Sequence, residues 1–238
     1  MHYLALATDY DGTLAHHDKV DGPTLDALGR LRGSGRSIIL VTGRVLGELS
    51  AVCPRLDLFD RVVAENGALL YRPTDRSEAV LCDRPPATFV EALRRRGVGP
   101  ISVGRVIVAT WEPHQAAVAE VIREAGLGLQ VILNKRAVMI LPPGVNKATG
   151  LAAALDELGI APENVVAVGD AENDREMLEL CGCSAAVANA LPALKGCVDV
   201  VTRAGHGAGV TELIDALIAD DLAVRGTFDG PSTPGRSA

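Results

Sequence analysis

Three short apolar segments that each end in polar side chains constrain the fold of this chain more than any other feature. Residues 3–8, 37–41 and 165–168 consist largely of Val, Ile, Leu and Ala, and such runs are typical of strands that are buried on both faces. Predicted helices at residues 23–32, 45–52 and 148–158 alternate with them. This alternation predicts an α/β fold with a parallel sheet that helices cover on both faces.

The alternation is interrupted after two consecutive prolines, Pro85 and Pro86, which mark a boundary. The pattern that follows is one helix and two strands, twice over, and it predicts a smaller α+β insert with an antiparallel sheet. We expect a main domain formed by residues 1–82 and 146–222, an inserted domain at 83–145, and a disordered tail at 223–238. The further predicted elements are a hairpin turning at Asn66-Gly67, helices at 88–96, 114–125, 175–180 and 210–219, and strands at 101–103, 106–109, 129–133, 137–141, 185–188 and 199–202.

The composition argues against two classes of partner. The chain of 238 residues has a net charge of −7, and general nucleic-acid binding normally needs a basic surface. No apolar run approaches the roughly 18 residues of a membrane-spanning helix. The five cysteines are odd in number and lack the spacing of a zinc or redox site. We therefore expect a reducing, cytoplasmic location, while a monomer and a homodimer both stay open.

A cluster of polar side chains directly follows each of the three apolar strands. Ligands of open α/β sheets bind beyond the carboxyl ends of the strands, so we expect these clusters to meet. Up to four carboxylates in one small volume need a cation or shifted pKa values, and oxygen ligands of this kind favour Mg²⁺. The residues are Asp9 and Asp11 after the first strand, Thr42, Gly43 and Arg44 after the second, and Asp170, Asn173 and Asp174 after the third.

The same edge of the predicted sheet also offers groups that suit an anion. Thr42 supplies a hydroxyl, Gly12 and Gly43 let backbone N–H groups approach closely, and Lys147 lies at a helix start, where anions bind favourably. A phosphate between Mg²⁺ and these donors would satisfy both halves of the site. The two aspartates after the first strand suit phosphoryl transfer, because one carboxylate can attack phosphorus while the other transfers protons.

Four motifs, in the same order, resemble those of the haloacid dehalogenase (HAD) phosphatase superfamily. They are "DYDGTL" at residues 9–14, "VTGR" at 41–44, "VNKATGL" at 145–151 and "GDAENDREML" at 169–178. "ENGALLY" at residues 65–71 resembles a segment of the Cof-like, type IIB branch, whose cap is inserted between the second and third motifs. The resemblance implies a Rossmann-like core in which residues 83–145 form an α/β cap of the C2 type that closes over the site.

The resemblance also implies a role for each motif residue. Asp9 is then the nucleophile and a metal ligand, and Asp11 is the general acid and base, with its backbone carbonyl also at the metal. Thr42, Lys147 and Asn173 join Gly12 and Gly43 in binding the phosphoryl group, Asp170 and Asp174 complete the metal site, and Arg44 makes a structural or secondary contact beside the phosphate.

These expectations together predict a Mg²⁺-dependent phosphatase that hydrolyses a small phosphorylated metabolite, a sugar phosphate or a phosphoglycolate-like ester, through an aspartyl-phosphate intermediate. The short insert resembles the caps of phosphoglycolate-phosphatase-like members and favours a small ester. The alternative is a phosphomutase of the same fold, similar to phosphomannomutases. A signalling receiver module fits poorly, because such modules are about half this length and have no cap. Within the insert, Trp111 and residues 134–136 are either substrate contacts or ordinary packing and surface.

Overall fold

The computed structural model of this chain describes residues 1–223. The predicted tail, apart from its first residue, lies outside the described residues. The strands are β1 (Ala5–Asp9), β2 (Ser37–Val41), β3 (Arg61–Ala64), β4 (Leu69–Arg72), β5 (Ser77–Val80), β6 (Ser102–Val103), β7 (Val108–Trp111), β8 (Gln130–Asn134), β9 (Ala137–Leu141), β10 (Val165–Gly169), β11 (Cys183–Ala186) and β12 (Val200–Val201). The α-helices are α1 (Gly22–Gly33), α2 (Leu46–Val52), α3 (Ala87–Arg95), α4 (Gln115–Glu124), α5 (Lys147–Leu158), α6 (Arg175–Leu180), α7 (Pro192–Lys195) and α8 (His206–Asp220).

A mixed sheet of eight strands forms the centre of the larger part, in the order β12-β11-β10-β1-β2-β3-β4-β5. The strands from β12 to β3 are parallel, and β4 and β5 continue the sheet antiparallel. Every residue of β1, β10 and β11 is buried. Because successive side chains of a strand point to opposite faces, these strands are covered on both sides. The predicted α/β fold with a parallel sheet is confirmed.

A second sheet of four antiparallel strands, in the order β6-β7-β9-β8, lies between α2 and α5 in the sequence. Helices α3 and α4 pack with it around their own apolar cluster, which includes Phe89, Leu93, Val118 and Ile140. The predicted repeat of one helix and two strands is therefore present in residues 83–145, which we call the insert. The domain boundaries themselves stay a prediction. Among residues 1–223, no helix combines the length and apolar character needed to cross a membrane.

Strands β7 and β11 lie two residues from their predicted bounds of 106–109 and 185–188, and three further elements differ more from the sequence-based prediction. Strand β5 and helix α7 were not predicted, because both are only four residues long and carry weak local signals. Helix α8 begins at His206, four residues earlier than predicted, because the glycines of "HGAGV" resemble a loop. Gly207 instead serves close packing: a Cβ at that position would clash with the Thr24 hydroxyl of α1.

A pair of glycine substitutions tests this packing, since both sites lie inside helices. A Cβ at Gly150 of α5 would lie 2.5 Å from the Gly67 Cα and from a Val63 methyl, whereas a Cβ at Gly29 of α1 meets nothing within 4 Å. Gly150→Ala should lower the free energy of unfolding by about 1–3 kcal/mol through overpacking. Gly29→Ala should raise it by about 0.5–1 kcal/mol through helix propensity. Denaturant titrations of both variants measure the change in the free energy of unfolding relative to the wild type. A change of the same sign in both variants would contradict this packing.

Candidate active site

The carboxyl ends of the neighbouring strands β10, β1 and β2 bring the three predicted clusters together. Asp9 is the last residue of β1, Asp170 directly follows β10, and Thr42 directly follows β2. One carboxylate oxygen from each of Asp9, Asp170 and Asp174 lies within 4.8 Å of the others, and all three residues are buried. The structure thus brings together acids that are more than 160 positions apart in the chain.

Lys147 supplies the buried positive charge of this cluster. It is the first residue of α5, whose start is held by a capping box between Asn146 and Thr149. The Lys147 side chain is 1% exposed, and its Nζ donates to Asp174 Oδ1 at 2.6 Å and also to Asp9 Oδ1. Asp174 is oriented from its other oxygen, which accepts from the backbone N–H groups of Asp170 and Ala171 at 3.0 Å each.

Burial shifts the pKa values of several charged groups in this cluster. Loss of solvation raises the pKa of Asp9 to about 7. The positive charge of Lys147 lowers this pKa, whereas the negative charges of Asp174 and Asp170 raise it further. Burial also raises the pKa of Asp170, and Lys135 opposes that rise. Burial alone would lower the pKa of Lys147, but Asp174 and Asp9 offset this and raise it overall. The lysine is therefore charged, while the carboxylates repel one another.

The donor set fits a divalent cation that prefers oxygen ligands. Three carboxylates face one fully buried ammonium group, so the cluster retains negative charge that a cation would neutralise. Oxygen ligands alone, with neither His nor Cys in the cluster, match Mg²⁺ rather than zinc.

Asp11 lies beside this cluster rather than in it. Its carboxylate is partly exposed and forms a bidentate ion pair with Arg44, whose Nε lies 2.7 Å from Oδ2. Arg44 also pairs with Asp18, and its guanidinium lies over the Tyr10 ring, 5.6 Å from the ring centroid. The backbone carbonyl of Asp11, in contrast, faces the acids, because the ammonium group of Lys135 contacts both this carbonyl and Asp170.

Lys135 lies in the turn between β8 and β9 of the insert. Lys135 Nζ lies 3.0 Å from Asp170 Oδ2 and 3.2 Å from the Asp11 carbonyl oxygen. Gly12 allows this approach: its φ is +93°, and a Cβ there would clash with Asp170 and lie 2.9 Å from Lys135 Nζ. The sequence left the turn at residues 134–136 open between a substrate contact and a plain surface hairpin, and Lys135 reaches the acidic cluster.

Two of the predicted phosphate-binding residues, Thr42 and Asn173, are buried at the strand ends that carry the acids. Thr42 is fully buried, and its hydroxyl accepts from the Arg44 backbone N–H at 3.1 Å. Asn173 is buried and donates through Nδ2 to Asn66 Oδ1 at 3.3 Å. Among the described residues, the remaining amide atoms of this pair, Asn173 Oδ1 and Asn66 Nδ2, have no partner. Sequence reasoning treated Asn66 only as a hairpin residue, although its left-handed backbone (φ 55°) is unusual for a residue other than glycine.

A cavity of about 620 Å³ lies between the core loops and the insert. Asp9 and Asp11 line it from the core, and Trp111, Lys135 and Met139 line it from the insert. Trp111 is 54% exposed, so it forms part of the cavity wall rather than a packed core. The rings of His16 and His206 also line the cavity, stacked with centroids 4.3 Å apart. Sequence reasoning did not place either histidine at the site.

The fold and the acidic cluster at its sheet edge define a class of hydrolase, and comparison with known proteins identifies it. Residues 6–90 and 127–214 match the family model of the haloacid dehalogenase-like hydrolases. The chain belongs to this family. Among solved structures, Thermoplasma acidophilum protein 0175 superposes with a TM-score of 0.77 at 21% identity, covering 90% of this chain and 97% of that one. A haloacid dehalogenase-like hydrolase from Bacteroides thetaiotaomicron has a TM-score of 0.79 at 19% identity, covering 90% and 99%.

Two similar curated relatives carry a more specific name. Phosphoglycolate phosphatase from Methanothermobacter thermautotrophicus is 34% identical over 220 residues, covering 88% of this chain and 96% of the relative. Phosphoglycolate phosphatase from Natronomonas pharaonis is 33% identical over 220 residues, covering 88% and 96%. The predicted superfamily and enzyme class, a HAD phosphatase, are thereby confirmed.

The raised pKa of Asp9 predicts a pH-dependent effect of Asp9→Asn on the stability of the metal-free protein. Between the ordinary value of 3.8 and about 7, the folded state holds a proton that the unfolded state releases, so Asp9 increasingly destabilises the fold as the pH rises. Asp9→Asn should therefore raise the free energy of unfolding at pH 8 by about 1–3 kcal/mol, since one pKa unit corresponds to about 1.4 kcal/mol. At pH 5 the gain should fall below half.

Denaturant titrations in EDTA at the two pH values measure this gain. The matched control is Asp26→Asn on the exposed face of α1, which should show no such pH dependence. A loss of stability in Asp9→Asn at pH 8 would contradict the assigned electrostatics.

Proposed function

We propose that this protein is a Mg²⁺-dependent phosphatase that hydrolyses phosphoglycolate or a closely similar small phosphate ester through an aspartyl-phosphate on Asp9. The observation that carries the proposal is the buried Asp9 carboxylate, at a strand end beside Asp170, Asp174 and Lys147, with a second, partly exposed carboxylate only two residues away. The family membership and the names of the curated relatives support the same reaction.

The proposed reaction uses the two aspartates in turn. A carboxylate oxygen of Asp9 forms a bond to phosphorus while the bond from phosphorus to the leaving oxygen breaks, and Asp11 gives that oxygen its proton. In the second step water attacks phosphorus, its proton goes to Asp11, and the bond from Asp9 to phosphorus breaks. In the resting structure Arg44 pairs with both oxygens of the Asp11 carboxylate at the cavity wall, and one of these oxygens has to leave the pair whenever Asp11 carries the proton.

The remaining residues bind and orient the phosphoryl group. Thr42 offers its hydroxyl, Gly43 its backbone N–H group and Lys147 its ammonium, with Asn173 supporting them. The Gly12 N–H, which the sequence predicted as a further donor, already donates to the Ala15 carbonyl at 3.1 Å, so Gly12 would contribute close approach rather than a free N–H group. The ligands proposed for Mg²⁺ are Asp9, Asp170, Asp174 and the Asp11 carbonyl. When bound, Mg²⁺ would supply charge neutralisation at the phosphoryl oxygens.

The cavity supports a small, anionic leaving group. The insert contributes one ammonium group, Lys135, directly above the acidic cluster, and a carboxylate on the substrate gives that ammonium an alternative partner. Phosphoglycolate has such a carboxylate one carbon from the ester oxygen. We propose that the insert acts as the cap and that Lys135 binds this carboxylate.

Three sequence-based expectations stay predictions. The described cysteines are all free, as a cytoplasmic location would allow. A homodimer is untested. The alternative function, a phosphomutase, would use the same aspartates, and it differs only in the acceptor of the phosphoryl group.

A substrate panel with phosphate release as the readout tests the activity. We expect release from 2-phosphoglycolate to exceed release from hexose phosphates, to stop in EDTA, and to return when Mg²⁺ is added. Asp9→Asn should lower turnover by about 10³-fold or more, while the exposed Asp26→Asn should leave it unchanged. Undiminished turnover in EDTA would contradict the metal site, and transfer of phosphate between two sugar positions without release would favour the mutase.

Lys135→Ala tests the proposed contact with the substrate carboxylate. A hydrogen bond to a charged group contributes about 1.5–3 kcal/mol, so the KM for 2-phosphoglycolate should rise about ten- to hundredfold. The KM for phenyl phosphate, whose leaving group has no carboxylate, should change much less. Arg136→Ala is the matched control, because it removes the same charge from the next, exposed position of the turn. Equal effects on the two substrates would exclude Lys135 as the carboxylate contact.

A further inference from the structure

Glu65 joins the core to the insert through an unusual contact. Its side chain belongs to the 3₁₀ turn Glu65–Gly67 between β3 and β4 of the core and is fully buried. Its carboxylate accepts hydrogen bonds from three consecutive backbone N–H groups of the insert: Arg105 and Val106 at 2.8 Å each and Ile107 at 2.9 Å. No sequence motif assigned a role to this residue.

The insert is shaped to receive this carboxylate. Consecutive backbone N–H groups that converge on one point form an anion-binding nest, and here the bound anion is a side chain of the same chain. Among the described residues, no lysine or arginine side chain forms an ion pair with Glu65, so these three N–H groups supply its hydrogen bonds. Gly104 permits the approach, since a Cβ there would lie 2.5 Å from Glu65 Oε2.

The backbone around Glu65 is also bonded to the proposed phosphate-binding loop. The Glu65 N–H donates to the Arg44 carbonyl and the Asn66 N–H to the Thr42 carbonyl, both at 2.9 Å. Glu65 itself has a left-handed φ of 53°, a conformation that is unfavourable for a residue with a side chain. The surrounding contacts therefore hold Glu65 in this conformation, which aims its carboxylate at the insert.

Apolar contacts lie beside this polar contact. Val106 and Ile107 pack in one cluster with Ala68 of the core and with Met139 and Leu141 of β9. Strand β9 also pairs with β8, and the turn between these two strands carries Lys135. A rotation of the insert about this junction would therefore move Lys135 relative to the acidic cluster.

We propose that Glu65 is a positioning residue that seats the insert on the core and so places Lys135 over the acidic cluster. This inference rests on the proposed function only where it concerns the substrate. Glu65 does not touch the reacting atoms. Its action runs through the insert backbone at residues 105–107.

Hydrogen exchange of the full chain, without substrate, tests the contact directly. In Glu65→Gln one carboxylate oxygen becomes an amide donor, so exchange at residues 105–107 should speed up by at least about tenfold while β1 and β10 stay protected. Glu78→Gln is the matched control, because Glu78 binds the exposed side chain of Arg105 at 2.7 Å in the same segment. Unchanged exchange in Glu65→Gln, or equal loosening of the whole core, would overturn the proposal.

Kinetics then separate a positioning role from a purely structural one. In Glu65→Gln, kcat/KM for 2-phosphoglycolate should fall at least about tenfold, mainly through KM, and much less for phenyl phosphate. A matching fall in kcat for both substrates would show a structural role and overturn the proposal. If the wild-type protein does not hydrolyse 2-phosphoglycolate, the proposed substrate fails, but the exchange result still decides the role of Glu65.

A second variant tests the same contact by changing a residue of the insert. Gly104→Ala places a methyl group against the Glu65 carboxylate and should reproduce the faster exchange at residues 105–107. If Glu65→Gln yields no folded protein, this variant decides the outcome. Wild-type exchange in Gly104→Ala would then overturn the proposal.

Discussion

The mutual repulsion of three buried carboxylates is the constraint on which this site depends. Asp9, Asp170 and Asp174 lie within 4.8 Å of one another at one sheet edge, and Lys147 pairs with two of them. The third is paired with Lys135 of the insert. The core alone therefore carries more negative than positive charge at this point. A cation from outside the core, such as the Lys135 ammonium, balances this excess. Lys135 contacts the same oxygens, of Asp170 and of the Asp11 carbonyl, that we propose for the metal.

This shared position gives the insert a direct electrostatic link to the proposed metal site. An ammonium and a divalent ion at the same oxygens repel each other, so occupation by one disfavours the other. A substrate carboxylate would relieve that repulsion, because it offers Lys135 a partner above the metal. The charge pattern is therefore compatible with the substrate that we propose, phosphoglycolate, which carries negative charge at both ends.

The sequence predicted the sheet edge well because the signals there are local. An apolar run followed at once by Asp9, Thr42 or Asp170 marks both a strand and its end, and parallel pairing then brings these ends together. The contacts of Lys135 and Glu65 were not predictable in this way. Lys135 contacts residues that are 35 and 124 positions away in the chain, and Glu65 contacts backbone groups about 40 positions away. These contacts depend on how the two sheets pack, and no local sequence pattern around either residue indicates its partner. The left-handed backbone of Glu65 and Asn66 is likewise maintained by tertiary contacts.

Asp9 and Asp11 show how environment can suit two identical side chains to the different roles that we propose for them. Asp9 ends a fully buried strand, where loss of solvation raises its pKa and Lys147 holds the carboxylate in one orientation. Asp11 comes just after that strand has ended, so its side chain reaches the cavity wall, where Arg44 and solvent contact it. A nucleophile needs a fixed position, whereas a group that exchanges protons with a leaving oxygen and with water needs access to both. The end of β1 between the two residues provides that difference in environment.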